Sequence, residues 1–418
     1  MGIGNDNHRE RFVTSISFTS GELMFHRIRT LAMCLVIASC YAPHLAGAQL
    51  TANGRTPTVG DAPADPGPFA TDLSGDFKPN AIRSAMRKVA DWQVVRIADT
   101  PSQDWTFATL YVGLLSASDT LHDSRYRNTV LQVANHFQWT LGPRKAHADD
   151  QAIGQAYLIL NAQQPEPAHI ASLRAQFNDL MQSPDDPSKP VWWWCDALFM
   201  APPVWAQLAA ETHDPRYLDY MDHEWQITSN LLWDPEENLF FRDSNYLNKK
   251  EQNGRKVFWS RGNGWVMGGL VRVLQTLPPT DPEYNFYVEK LQKMAASIRK
   301  LQGPDGLWRA GLLDADAYAL PETSGSAFFV YALSWGIEHH LLDGAQYTPV
   351  VQRGWAGLVA HIYQDGRLGC VQPVGERPGA YPASASSVFG TGAFLLAGSE
   401  AEKLSQTGAT PSKRKRTK

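Results

Sequence analysis

Residues 195–232 read CDALFMAPPVWAQLAAETHDPRYLDYMDHEWQITSNLL. The first part, 195–210, is apolar and rich in small residues, whereas 216–232 sets apolar residues at helical spacing among charged ones. A helix that is apolar all round must be enclosed by others, and an amphipathic helix buries a single stripe. The pair therefore reads as an inner helix followed by an outer one.

The same alternation runs through the chain. Amphipathic segments at 81–95, 125–139, 168–182, 216–232, 284–301 and 348–363 are each followed by an apolar one, starting at 104, 149, 195, 260, 323 and 386. Successive apolar starts lie 45, 46, 65, 63 and 63 residues apart, a degenerate repeat that marks stacked supersecondary units. Six such hairpins bury their small-residue helices by closing a ring with the amphipathic helices outside, so the fold class expected is all-α, an (α/α)6 barrel. The longer late intervals contain LWDPEENLFFRDSNY (232–246), LQGPDGLWRAGLLD (301–314) and IYQDGRLGCVQPVG (362–375), where turn residues meet β-prone ones. These predict short β-hairpins crowding one mouth of the barrel. A doubly wound α/β fold is disfavoured, because no series of buried β-branched runs occurs.

The 418 residues are 43% hydrophobic and 19% charged, as in a soluble globular protein with a large core. Asp and Glu total 42 against 38 Lys and Arg, a balance that gives no reason to expect a nucleic-acid or membrane-surface partner. The 14 Trp and 14 Tyr suit packing against sugar faces, although large aromatic side chains also simply fill cores. Near the N-terminus HRIR (26–29), the apolar TLAMCLVIASC (30–40) and LAGA (45–48) have the order of a signal peptide, possible starts being Met1 or Met24. IASC (37–40) also resembles a lipobox with Cys40 as the lipidated residue. Either route predicts a periplasmic or secreted protein whose mature chain carries no integral membrane span. The expected domains are a leader over 1–48, a disordered linker over 49–78, the barrel over 79–402 and a disordered basic tail over 403–418. Cys195 and Cys370 are then the only cysteines of the folded part, too few for a disulfide framework or a zinc site.

Loops leading into inner helices converge on one mouth, so the residues that open those helices are the candidates for a site. They are Asp149 and Asp150, then Asp196, then Trp259, Arg261, Asn263, Gly264 and Trp265. A carboxylate in the first turn of a helix also has a purely structural reading, as a cap or a partner of the macrodipole. Asp196 stands apart because Trp192, Trp193 and Trp194 precede it: apolar surroundings raise a carboxyl pKa and keep a proton available near neutral pH. Such a group suits general acid catalysis. Pro202 and Pro203 predict a kinked or late-starting inner helix behind it. In SRGNGWVMGG (260–269) the glycines allow close backbone approach and Arg261 offers a planar fork for a carboxylate.

WWCDALFMAPP (193–203), FWSRGNGWVMGGL (258–270), ADDQAIGQAYL (148–158) and PETSGSAFFVYALSWGI (321–337) resemble the unsaturated rhamnogalacturonyl hydrolases of glycoside hydrolase family 105 and the related unsaturated glucuronyl hydrolases of family 88. The similarity spans about residues 79–400. The resemblance implies an (α/α)6 barrel acting on an oligosaccharide that ends in a 4,5-unsaturated uronic acid. The catalytic acid protonates C4 of the enol ether and water adds at C5. It implies Asp196 as proton donor and then base, and a second carboxylate in the pair Asp149 and Asp150; counting back from Gly154 favours Asp149, and the doublet leaves both open. Trp194, Met200, Trp259, Arg261, Asn263 and Trp265 are the implied substrate contacts, with Arg261 as partner of the uronate carboxylate. No cofactor is expected, since no His, Cys or carboxylate cluster shows metal-ligand spacing. Galacturonyl and glucuronyl substrates remain alternatives, and nothing in the sequence bears on oligomeric state. Competing readings are an inverting glycosidase, with carboxylates roughly 6.5–9.5 Å apart, an epimerase of similar ring topology, and a non-catalytic periplasmic binding protein. The epimerase reading calls for paired histidines where this chain carries Asp.

Overall fold

The structure, a computed structural model, describes residues 59–182 and 190–407. The six outer helices are α1 (Pro79–Ile97), α3 (Ser124–His136), α6 (Pro167–Leu180), α9 (Arg216–Leu232), α11 (Tyr284–Lys300) and α13 (Gly344–Val359). The inner layer comprises α2 (Trp105–Leu121), α4 (Ala148–Gln151) with α5 (Gly154–Gln163), α7 (Ala197–Met200) with α8 (Pro202–Thr212), α10 (Ser260–Leu274), α12 (Thr323–Glu338) and α14 (Val388–Thr407). Neighbouring inner helices touch in the order α2, α5, α8, α10, α12, α14 and back to α2, so the ring closes as an (α/α)6 barrel.

Local chemistry starts and stops these helices. Asp104 caps α2 by accepting from the Thr106 amide at 2.9 Å, and His122 ends it in the left-handed region at φ 52°. Proline opens α1, α6 and α8, where a missing amide hydrogen costs nothing. Pro202 also splits the third inner element into α7 and α8, as its position predicts. The inner helices approach to backbone contact: a Cβ on Gly392 would lie 2.4 Å from the Thr109 carbonyl oxygen, and one on Gly269 2.1 Å from that of Leu198. Only glycine fits there, which explains why the inner segments are rich in small residues.

The expected hairpins are shorter than their sequences suggest. β2 (Trp233–Asp234) pairs antiparallel with β3 (Leu239–Phe240), but 301–314 and 362–375 contribute single bridges, among them Trp259 with Gly311 and Ile362 with Leu368. These bridges join the segments that precede the inner helices into a rim around one mouth. The rim corrects the linker assignment. Residues 59–78 are packed on the barrel: β1 (Gly60–Asp61) pairs with β4 (Ser386–Ser387), Phe69 bridges Tyr363, and Lys88 holds Asp72 at 2.9 Å. Turn-forming composition without an apolar period describes a strap as well as a free linker, because the strand that pairs with β1 lies over 300 residues away. The expected basic tail likewise begins too early, since α14 continues to Thr407. The leader over 1–48, with Met24 and Cys40, lies outside the described residues, as do 49–58 and 408–418. Among the described residues no helix is long and apolar enough to cross a membrane.

Candidate active site

Two of the inner elements are broken, and each break carries a carboxylate. Asp149 lies in the single turn α4, Asp196 immediately precedes the single turn α7, and these two turns pack together. Burial raises the Asp196 carboxyl above its ordinary range, opposed by the positive charges of Arg242 and Arg261. Burial also pushes Asp149 up to about 7, with the negative charge of Asp196 as the second cause. Two neighbouring acids in a desolvated site resist holding two negative charges at once.

The doublet separates by partner. Asp150 accepts from the Arg144 amide at 2.7 Å and from its guanidinium at 2.5 and 3.1 Å, which ties the carboxylate to the 142–144 loop. Asp149 lies beside His147, whose Nδ1 is 3.7 Å from Oδ2. That nitrogen accepts from the Asp149 amide at 3.3 Å, which puts the imidazole proton on Nε2, and burial followed by the charge of Arg144 lowers the imidazole pKa. Neutral His147 packs on Trp194 with ring centroids 4.9 Å apart.

The three tryptophans do not form one shield. Trp192 and Trp194 are buried, whereas Trp193 between them is 44% exposed. Asp196 Oδ2 meets two groups, the Cys195 thiol at 3.4 Å and Arg242 Nε at 3.7 Å. Arg242 reaches the site from the segment after β3, where its carbonyl accepts from the Cys195 amide at 2.8 Å. Its guanidinium lies over Trp193, 5.4 Å from the ring centroid.

The 258–270 segment is placed differently from expectation. Arg261 is 0% exposed. Its guanidinium donates to the carbonyls of Gln372 and of Pro373, the latter at 2.7 Å, lies 3.8 Å from Glu322, and is sandwiched by Trp259 and Phe389. It clamps the loop that begins at Gln372, while its Nε, like that of Arg242, is buried without a hydrogen-bond partner. Asn263 is equally occupied: it accepts from the Phe240 amide at 2.8 Å and donates to the Phe240 and Trp259 carbonyls, fixing the hairpin to α10. Trp265 sits among Trp105, Phe199, Phe328 and Phe389, and Met200 is buried. Both are core residues here. Trp259 donates to Gln372 Oε1 at 3.1 Å and forms part of the same loop anchor. Among the described residues no group of three or more His, Cys, Asp and Glu side chains could hold a metal ion.

The model of Glycosyl Hydrolase Family 88 matches residues 80–405. The chain belongs to that family. Family 88 membership covers the whole barrel, from the second residue of α1 into the last turns of α14. The chain is 40% identical over 349 residues, 78% of this chain and 91% of the other, to an unsaturated 3S-rhamnoglycuronyl hydrolase of Formosa agariphila. It resembles the solved structure of a family 88 glycosyl hydrolase from Bacteroides vulgatus, with 30% identity and a TM-score of 0.75 over 78% of this chain and 99% of that one. It also resembles a solved structure described as a polysaccharide lyase, with 32% identity and a TM-score of 0.74 over 79% of this chain and 99% of the other. The family assignment is what the quoted motifs implied; Arg242 and His147 lie outside those motifs, and the contact of Cys195 with Asp196 was not read from them. His147 was legible two residues ahead of Asp149, as a cap for a short helix. Arg242 was not, because a hairpin far along the chain delivers it.

Proposed function

We propose that this family 88 enzyme removes a 4,5-unsaturated uronic acid from the non-reducing end of an oligosaccharide in which the uronyl group is joined to rhamnose. The pairing with rhamnose is supported by the name of the Formosa agariphila relative. The reading is carried by the packing of α4 against α7, which brings Asp149 and Asp196 close together where burial raises both carboxyl pKa values. In the reaction Asp196 gives its proton to C4 of the electron-rich alkene, positive charge develops at C5, and water adds there. The water proton returns to Asp196. The C5 hemiketal then opens, C1 becomes a hemiacetal, and the remaining sugar chain leaves with its oxygen protonated. Asp149 stabilises the developing positive charge when ionised. The leader sequence supports a further proposal, that the reaction takes place outside the cytoplasm.

Unsaturated uronates absorb in the near ultraviolet. Wild-type enzyme given lyase digests of uronate-containing polysaccharides is expected to bleach that absorbance, and Asp196→Asn to abolish the loss, by ~10³-fold or more in kcat for a proton donor used also as base. Bleaching by the variant at the wild-type rate would exclude Asp196 as the acid. A second reading, suggested by the structural relative described as a polysaccharide lyase, makes the opposite prediction: the enzyme would create the alkene and absorbance would rise on intact polysaccharide. Turnover of saturated oligosaccharides would instead favour an ordinary inverting glycosidase.

A further inference from the structure

Withdrawal of Arg261 into the loop anchor leaves the substrate's carboxylate without its expected partner. We propose that Arg242 takes the uronate carboxylate, along the Nε edge of its guanidinium that faces Asp196. The inference rests on the unsaturated-uronyl reading above and deepens it.

Position comes first. The Cys195 amide donates to the Arg242 carbonyl at 2.8 Å, and Trp194 bridges Asp243, so the backbones carrying the acid and the arginine are tied together. Pairing comes next. Nη1 donates to Asp243 Oδ2 at 2.6 Å, and Asp243 is 1% exposed, so that edge is permanently occupied. Nε is buried without a hydrogen-bond partner, and 3.7 Å to Asp196 is beyond hydrogen-bond reach. A desolvated donor left unpaired is costly, and a ligand that satisfies it recovers that cost. The plane of the fork is set by Trp193 beneath it, leaving a charged edge that suits a planar carboxylate. A uronic acid seated so that its carboxylate meets this edge has C5, which bears that carboxylate, and C4 beside Asp196.

Filling the edge has a consequence for the acid. The charged groups that face Asp196 are Arg242, Arg261 and the neighbouring Asp149, with the Cys195 thiol on Oδ2 and Asp243 beyond Arg242. Arg261 is already offset by Glu322. A carboxylate bound at Arg242 adds a second negative charge to the one that Asp243 already places there, close to Asp196, so the acid holds its proton more tightly when substrate is present.

The test crosses enzyme and substrate. Wild type, Arg242→Lys and Arg242→Met are assayed by near-ultraviolet bleaching on an unsaturated uronyl disaccharide and on its neutral methyl ester. The expected result is a KM raised about 10- to 100-fold by the ester on wild type and by Met on the acid, the range for one charge-assisted hydrogen bond. Met and ester together should add little, and Lys should recover part of the loss. In the wild type the acid's pKa should be higher in the kcat profile than in kcat/KM, and in Arg242→Met the two should coincide. Equal KM for acid and ester on wild type overturns the proposal, and that arm needs no mutant that folds. An equal penalty from Met on both substrates also overturns it, since Arg242 would then act only through Asp243. Calorimetry with Asp196→Asn separates this inference from the hydrolytic reading: preference for acid over ester, lost on adding Arg242→Met, supports Arg242 even if wild type bleaches nothing, and its absence counts against Arg242 in either case.

Discussion

Asp149 and Asp150 are neighbours in sequence with different tasks. Asp150 answers Arg144 and the 142–144 loop, whereas Asp149 answers the charge of Asp196. Asp149→Asn is expected to cut kcat with the melting temperature little changed. Asp150→Asn should leave chemistry largely intact but destabilise by about 1–3 kcal/mol, as when a partner of a partly buried charged hydrogen bond is lost. Steady-state kinetics and thermal melts of the two variants check the division, and a larger kcat loss at Asp150 would reverse it. The motif around Asp196 was legible because a carboxylate among tryptophans is unusual. What each neighbour of Asp196 does was not, since Cys195 and Arg242 reach the same oxygen from positions 47 residues apart.

At the scale of elements, alternation of apolar and amphipathic segments identified all twelve helical positions, because an enclosed helix and a one-sided helix have different compositions. It also predicted the break at Pro202. It did not reveal the break after Gln151, where no proline announces it, although that break shapes the turn carrying Asp149. The glycines of α10 matter for the same region. A methyl group on Gly269 would meet the Leu198 carbonyl at 2.1 Å and push α7, with Asp196 at its start, away from α10. Gly269→Ala is therefore expected to cost about 1–3 kcal/mol of stability by overpacking and to lower kcat besides. Denaturant unfolding together with kinetics reads both, and an unchanged unfolding midpoint would contradict the contact.

At the scale of the whole molecule, the last two inner helices bring acids together far along the chain from the candidate mouth. Burial, reinforced by the charge of Glu400, pushes Glu338 up to about 8 from its ordinary 4.5. The folded protein thus binds this proton more tightly than the unfolded chain does, so the contribution is full below about 4.5 and is lost as pH rises through about 8. Melting temperature should fall across that interval in wild type and fall less in Glu338→Gln; identical pH profiles would rule the pair out. By itself the sequence determined the barrel, the family and the position of the proposed acid, because periodicity and short motifs are properties of neighbouring residues. Only the tertiary structure decided that Arg261 holds a loop, that Arg242 faces Asp196, that Asp150 pairs with Arg144 while Asp149 does not, and that residues 59–78 strap the barrel. Each of those outcomes depends on which distant groups compete for the same buried charge or hydrogen bond, and that competition is settled only when the ring closes.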